Sequence, residues 1–486
     1  MATAGPARRP ARAKSQLTTL PPRFADWFAG RGWAPHRHQI DMLEAAQHGQ
    51  SALLIAPTGG GKTLAGFLPS LIELAGQDGN PDDGLHTLYI SPLKALAVDI
   101  QRNLEAPIAE MALPLRAETR TGDTPQSKRQ RQRRRPPHLL MTTPESLALL
   151  LSYEDAPEIF GDLRCVIVDE LHAIEDNKRG DLLSLGLSRL SALAPQCRRV
   201  GLSATVAEPD RLARWISLDG KGGDGKGGGV RLVIGDPGVE PDIKILETEA
   251  RLPWSGHMGV HALPEVYDLL RTAGTAIVFV NTRAQTEIVF QELWRINDDN
   301  LAIALHHGSL AVEQRRKVEA AMARGELDAV VATSSLDLGV DWAAVDLVIQ
   351  VGAPKGSTRL LQRIGRANHQ LDQPSRAVLV PANRFEMLEC RAALDAVTEG
   401  TLDGIPEKPG GLDVLAQHVL GIACSGPVNP RALYHEVRKA GPYASLSRRD
   451  FDDVFDFVAT GGYALGNYEK YRRLFQTADG LFTIAS

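Results

Sequence analysis

Cysteine is scarce, with four residues in 486, and Cys165, Cys197, Cys390 and Cys424 form no C-x-x-C pair. That scatter excludes a disulfide framework and a thiolate zinc module, and it fits a reducing compartment, so a cytoplasmic protein is expected. No apolar run approaches the length of a membrane span, so no membrane partner is expected. The N-terminus carries Arg8, Arg9, Arg12 and Lys14 but no apolar segment of the kind a secretory signal needs. Residues 1–18 are expected to form a disordered basic tail. Net positive charge is also missing: 54 basic against 59 acidic residues give −5. Any surface for nucleic acid must therefore be a local basic stripe on an acidic body.

What is present is a phosphate loop. The apolar run Ala52-Leu53-Leu54-Ile55 leads into Ala56-Pro57-Thr58-Gly59-Gly60-Gly61-Lys62-Thr63, and Leu64-Ala65-Gly66-Phe67-Leu68 follows. A buried strand, a glycine-rich turn and a helix give the context such a loop requires. Gly59, Gly60 and Gly61 let backbone N–H groups converge on phosphate oxygens where a Cβ would obstruct them. Lys62 offers a mobile charge to the outer phosphates and Thr63 a hydroxyl to Mg²⁺, so ATP and Mg²⁺ are the expected cofactors. The general pattern G-x-x-x-x-G-K-[ST] begins with glycine where this chain has Ala56. Upstream, Gln39 follows Trp33-Ala34-Pro35, and its amide has one donor and one acceptor face, which suits the edge of adenine.

A chain of 486 residues exceeds what one core usually serves. Beyond the loop, short apolar runs alternate with helical patterns. Leu88-Tyr89-Ile90 precedes Ser91-Pro92-Leu93-Lys94, and Leu139-Leu140-Met141 precedes Thr142-Thr143-Pro144-Glu145. Cys165-Val166-Ile167-Val168 runs into Asp169-Glu170-Leu171-His172, and Val200-Gly201-Leu202 into Ser203-Ala204-Thr205. The alternation predicts an open parallel sheet with its ligand beyond the strand C-termini. Asp169, ending an aliphatic strand, can hold the Mg²⁺ shell, and Glu170 can polarise the attacking water.

A second cycle of strands follows at 276–280, 302–305, 329–332 and 345–350, without a phosphate loop of its own. A helix starting near Thr358 carries Gln362-Arg363-Ile364-Gly365-Arg366. One nucleotide loop between two sheets predicts a cleft, with arginines presented across it to the transferred phosphoryl group. His306-His307 has no carboxylate or histidine partner at metal-ligand spacing and reads as structural. The run Lys128-Arg129-Gln130-Arg131-Gln132-Arg133-Arg134-Arg135 reads as a solvated helix face rather than a phosphate track. Near the C-terminus, Ser447 to Asp450 matches a capping box before periodic Phe451, Val454, Phe455 and Val458, and Asp479-Gly480 marks a hairpin.

Taken in order, these motifs resemble those of a superfamily 2 DExH-box helicase, and Phe279-Val280-Asn281-Thr282-Arg283 and 332–341 complete the set. Ser91 to Ala97 and 332–341 are most similar to the Lhr group, and Val380 to Glu386 and Leu412 to His418 resemble its ligase-associated branch. Two positions depart from the pattern: His369 stands where many relatives carry arginine, and Leu171 where the branch often carries tryptophan.

The resemblance implies an α/β protein with two RecA-like parallel-sheet domains forming an ATP cleft, followed by a winged-helix domain. The expected boundaries are 19–235, 236–405 and 406–486, the last truncated at the wing. Gln39 would read adenine. Lys62, Thr63, Asp169 and Glu170 would hold phosphates, metal and water, and Asp341 would contact the nucleotide. Arg363 and Arg366 would reach from the second domain, Arg366 as the arginine finger. Lys94, Thr143, Thr282 and Thr333 would line the nucleic-acid strand, where hydroxyls and an ammonium grip phosphates without reading bases. Ser203, Thr205 and Gln362 would couple nucleotide state to domain movement.

The resemblance further implies a 3′-to-5′ DNA helicase or translocase in DNA repair. It would act on single-stranded DNA or a DNA-containing duplex, RNA:DNA hybrids included, with a functional link to an ATP-dependent DNA ligase. The competing readings are an RNA helicase, a translocase that does not separate strands, and a non-catalytic nucleic-acid-binding scaffold.

Overall fold

The computed structural model describes residues 19–57, 59–76, 84–217, 229–256, 258–337, 345–367, 373–404, 406–462, 468, 470 and 472–484. The expected basic tail, Asp341 and His369 lie outside the described residues.

The first sheet contains β1 (Ala52–Ile55), β2 (Thr87–Ile90), β3 (Ala117–Arg120), β4 (Leu139–Thr142), β5 (Cys165–Val168), β6 (Arg198–Ser203) and β7 (Arg231–Ile234). Its order is β3-β4-β2-β5-β6-β1-β7, and every neighbouring pair is parallel. Residues of β1, β2, β4, β5 and β6 are buried throughout, because helices cover both faces of the sheet. One face packs Leu54, Tyr89, Met141 and Ile167 against Phe67 and Leu71. The other packs Leu53, Ile90, Val166 and Val168 against Leu183, Leu187 and Ile216.

The second sheet contains β8 (Asp242–Ile245), β9 (Ala276–Phe279), β10 (Ile303–His306), β11 (Ala329–Ala332), β12 (Leu347–Val351) and β13 (Arg376–Val380). It is ordered β10-β11-β9-β12-β13-β8, again all parallel. Both sheets match the expected RecA-like α/β class. A helical winged-helix region follows, with helices Leu412–Ser425, Pro430–Val437 and Arg448–Thr460 and the antiparallel ribbon of β14 (Leu474–Gln476) and β15 (Phe482–Ile484). One half of the expected capping box is present: the Asp450 N–H donates to the Ser447 hydroxyl oxygen at 3.1 Å, while the Asp450 carboxylate accepts from the Ser447 hydroxyl at 2.6 Å.

The winged-helix region does not pack as an isolated body. Its core of Leu415, Val419, Val437, Phe451 and Phe455 includes Leu182 and Leu185 from the helix Lys178–Leu193, which belongs to the first sheet. Polar contacts follow the same seam. The Gly411 N–H donates to Asp181 at 2.9 Å, and Arg189 pairs with Glu436 at 3.2 Å. This region follows the second sheet in sequence yet is seated on the first.

Candidate nucleotide and nucleic-acid site

The polar segments cluster because parallel strands deliver their C-termini to one edge. The phosphate loop leaves β1, Asp169 follows β5, and Ser203 ends β6, so neighbouring strands of the first sheet bring all three together. Gly61, at φ 69°, is the turn into the helix Lys62–Ala75. A Cβ there would sit 2.9 Å from the Gln39 amide nitrogen, so glycine is required by both backbone and space. Ala56 needs no glycine: a Cβ on Gly235 would come within 2.6 Å of the Ala56 Cβ, so Gly235 is the residue that leaves the room.

Lys62 Nζ donates to the carbonyls of Ala56 and Pro57, both at 2.9 Å. Burial lowers its pKa, as does Arg366, while Glu170 and Asp169 act in the opposite sense. Asp169 accepts the Glu170 N–H at 2.8 Å and the Tyr89 hydroxyl. Burial, then the adjacent Glu170 charge, raises the Asp169 pKa above the usual carboxylate range. Burial opposes ionisation of Glu170 too, but His172, Lys62 and Arg366 outweigh it and hold its pKa low.

Glu170 occupies the left-handed region at φ 48°, rare for a residue with a side chain. That twist sets its carboxylate 3.3 Å from His172 Nε2. The Ala204 N–H donates to His172 Nδ1 at 3.2 Å, so the neutral ring carries its proton on Nε2, facing Glu170. The Ser203 hydroxyl lies 3.0 Å from the same Nδ1. Ser203 thus reaches Glu170 through one imidazole. Thr205 is exposed.

Arg366 comes from the second sheet, is buried, and lies near enough for its charge to depress the pKa values of Lys62, Glu170 and His172. Arg363 is held differently from Arg366. Its Nε donates to Asp337 at 2.8 Å, its guanidinium stacks on Phe279 at 4.6 Å, and it is buried within its own sheet. It braces the second sheet. Gln362 is half-buried on the same helix.

Gln39 is buried. It takes the His36 N–H on its oxygen at 2.9 Å and directs its nitrogen to the Gly61 carbonyl at 3.4 Å. Beside it opens a cavity of about 800 Å³ lined by Trp27, Trp33, Gln39, Gly59, Gly61 and Thr63. Trp33, with Arg31 4.9 Å above its ring, is a wall that sequence reading touched only as an aromatic upstream of Gln39. Tyr89 was legible only as part of a strand, and its bond to Asp169 had no sequence signal beyond a hydroxyl in a buried run.

The residues expected along the strand path are of mixed character. Lys94 pairs with Asp123 at 2.9 Å, and Asp123 also faces Arg316 of the second sheet at 3.8 Å. Thr143 is buried, and its hydroxyl donates to the Ser146 hydroxyl at 3.2 Å. Thr282 is exposed and caps the helix Arg283–Arg295, and Thr333 is half-buried after β11. His306 is held by Ser335 at 2.8 Å and Glu319 at 3.2 Å. In the basic run, Arg133 pairs with Asp155 at 2.7 Å, Arg131 with Glu118, and Gln132 is buried. That helix is tied down by its own protein.

Models of the DEAD/DEAH box helicase, the helicase conserved C-terminal domain and the Large helicase-related protein winged helix domain match residues 36–212, 260–369 and 395–486. The ATP-dependent helicase Lhr-Core of Methanothermobacter thermautotrophicus is 37% identical over 90% of this chain and 53% of its own length. The chain belongs to the Lhr family of DEAD/DEAH-box helicases. The Lhr helicase/uracil glycosylase of Escherichia coli is 35% identical over 93% of this chain and 33% of its own length. The chain thus spans between a third and about half of the curated Lhr relatives it matches. The structure of Mycobacterium smegmatis helicase Lhr bound to ssDNA and AMP-PNP superposes with a TM-score of 0.84 at 36% identity, covering 97% of this chain and 61% of that one.

Proposed function

We propose that this chain is an ATP-driven DNA helicase or translocase. The carrying observation is that Lys62, Asp169, Glu170 and His172 of the first sheet share one electrostatic site with Arg366 of the second. In this reading Lys62 binds the outer phosphates, Glu170 orients and deprotonates the attacking water, and Arg366 stabilises the charge developing on the phosphoryl group. Thr63 and Asp169 would hold Mg²⁺, which when bound neutralises phosphate charge. The two adjacent buried carboxylates support the fit, since burial and the Glu170 charge both raise the Asp169 pKa and a cation there would offset them. Gln39 would read adenine above the cavity beside Trp33, and Asp341 would contact the nucleotide. Ser203 would pass the state of Glu170 outward through His172, with Thr205 and Gln362 serving the same coupling.

We extend the reading to single-stranded DNA as track, 3′-to-5′ movement, and a repair setting in the ligase-associated branch beside an ATP-dependent DNA ligase. The Lhr relative seen with ssDNA supports the track. Phosphate contacts by Lys94, Thr143, Thr282 and Thr333 suit alternate grip by two domains as ATP closes the cleft and hydrolysis reopens it. The proposed domains are 19–235, 236–405 and 406–486, each holding one of the three sheets or ribbons described.

ATP hydrolysis measured without nucleic acid, with single-stranded DNA and with single-stranded RNA tests this, beside Glu170→Gln. DNA stimulation that the substitution abolishes is the expected result. Stimulation by RNA alone would replace DNA as the track, and no hydrolysis at all would favour a scaffold. Displacement from 3′-tailed but not 5′-tailed duplexes tests the polarity.

A further inference from the structure

Trp254 is 67% exposed, on the segment that joins β8 to the rest of the second sheet. It is not loosely held. The Arg384 N–H donates to the Pro253 carbonyl at 3.1 Å, Arg384 Nε to the Leu252 carbonyl at 3.3 Å, and Asn383 Nδ2 to the Gly256 carbonyl at 2.7 Å. The Arg384 guanidinium lies 4.1 Å from the indole centroid. Among the described residues no carboxylate pairs with it. An indole backed by a guanidinium that no carboxylate neutralises among the described residues is a stacking platform with a phosphate-seeking charge beside it.

The platform lies on the edge where the second sheet ends its strands. Asn383 and Arg384 follow β13 as Lys355 follows β12 and Thr282 follows β9. Glu386 ties these ends together by accepting from the N–H groups of Ala353 and Ala382, both at 3.0 Å. The Ala353 carbonyl in turn accepts from Asn281 at 2.8 Å. Thr282, Arg283, Lys355, Trp254 and Arg384 are all exposed along this edge. The neighbouring Phe385 and Leu388 are exposed as well, which an apolar protein partner could use. Arg384 against the indole, with exposed Arg283 and Lys355 on the same edge, favours a polyanion instead.

We infer that Trp254 and Arg384 form a stacking site for one unpaired nucleobase of a single strand, with Arg384 meeting the adjacent phosphate. This rests on the nucleic-acid reading given above. Stacking is indifferent to base identity, so the site adds grip without sequence preference.

Anisotropy of a labelled oligo-dT tests it, using wild type, Trp254→Ala, Trp254→Phe and Arg384→Gln. Trp254→Ala should weaken binding about ten-fold and Trp254→Phe should largely restore it. Arg384→Gln should lower the salt dependence by about one phosphate contact. A single abasic position walked along the oligonucleotide should reproduce the loss at one register in wild type and have no effect there in Trp254→Ala. Thermal midpoints should not move, since the indole is exposed. Wild-type affinity in Trp254→Ala, or a loss blind to the abasic position, would overturn the stacking site and leave the helicase reading standing. So would changed self-association in place of changed DNA binding. A wild-type chain that binds no single strand would overturn both.

Discussion

At the residue scale, Glu170 shows how backbone and charge are set together. Its left-handed φ of 48° turns the carboxylate toward His172, and the imidazole tautomer is fixed by the Ala204 N–H. Gly61 carries the complementary constraint. Gly61→Ala would place a methyl 2.9 Å from the Gln39 amide in a left-handed turn, costing about 1–2 kcal/mol of backbone strain alone. ATP affinity should fall by roughly ten-fold or more in a fluorescent-nucleotide titration. His418 gives a pH signature. Burial, then nearby Arg189, pushes its pKa from the usual 6.5 down to about 3. Between those values the unfolded chain binds the proton and the folded chain does not, so stability is full above pH 6.5 and is lost as pH falls. Glu436, whose pKa burial raises, works in the opposite sense nearby. The His418 contribution should be about 2 kcal/mol between pH 6.5 and pH ~5, seen as a shallower urea-midpoint slope in His418→Leu than in wild type.

At the scale of the element, the helix Ser357–Ile364 and its continuation separate two arginines three residues apart. Arg363 turns into the sheet, onto Asp337 and Phe279, whereas Arg366 faces the cleft. Arg363→Ala should therefore cost about 3 kcal/mol of stability, because it leaves buried Asp337 with only the half-exposed Arg359, at 3.2 Å, as an ion-pair partner. The sequence motif names both arginines and cannot say which is the brace, since that depends on Asp337 lying beneath one of them. Interior strands were legible as aliphatic runs. The edge strands β3, β7 and β8 were not, because half-exposed edges such as Ala117–Arg120 and Asp242–Ile245 carry polar residues. β13 is interior, and its run Ala377–Val380 could have been read as a strand. Nor did sequence reveal the helix Lys178–Leu193 as a shared support. Its Leu182 and Leu185 look like ordinary core positions, yet they fill the winged-helix core. Leu185→Ala should cost about 2–5 kcal/mol and lower the unfolding midpoint of the winged-helix region, measured by hydrogen exchange across 412–460.

At the scale of the whole molecule, the winged-helix region moves with the first sheet if it moves at all, because its core and its ion pairs are built there. The second sheet is then the body whose approach completes the site, and Arg366 is what it brings. That claim is tested most directly by the single-stranded-DNA-stimulated turnover of Arg366→Ala, with ATP affinity measured alongside. Turnover is expected to fall about a thousand-fold with little change in ATP binding. Turnover at the wild-type rate would contradict it, since the first sheet alone would then suffice for hydrolysis.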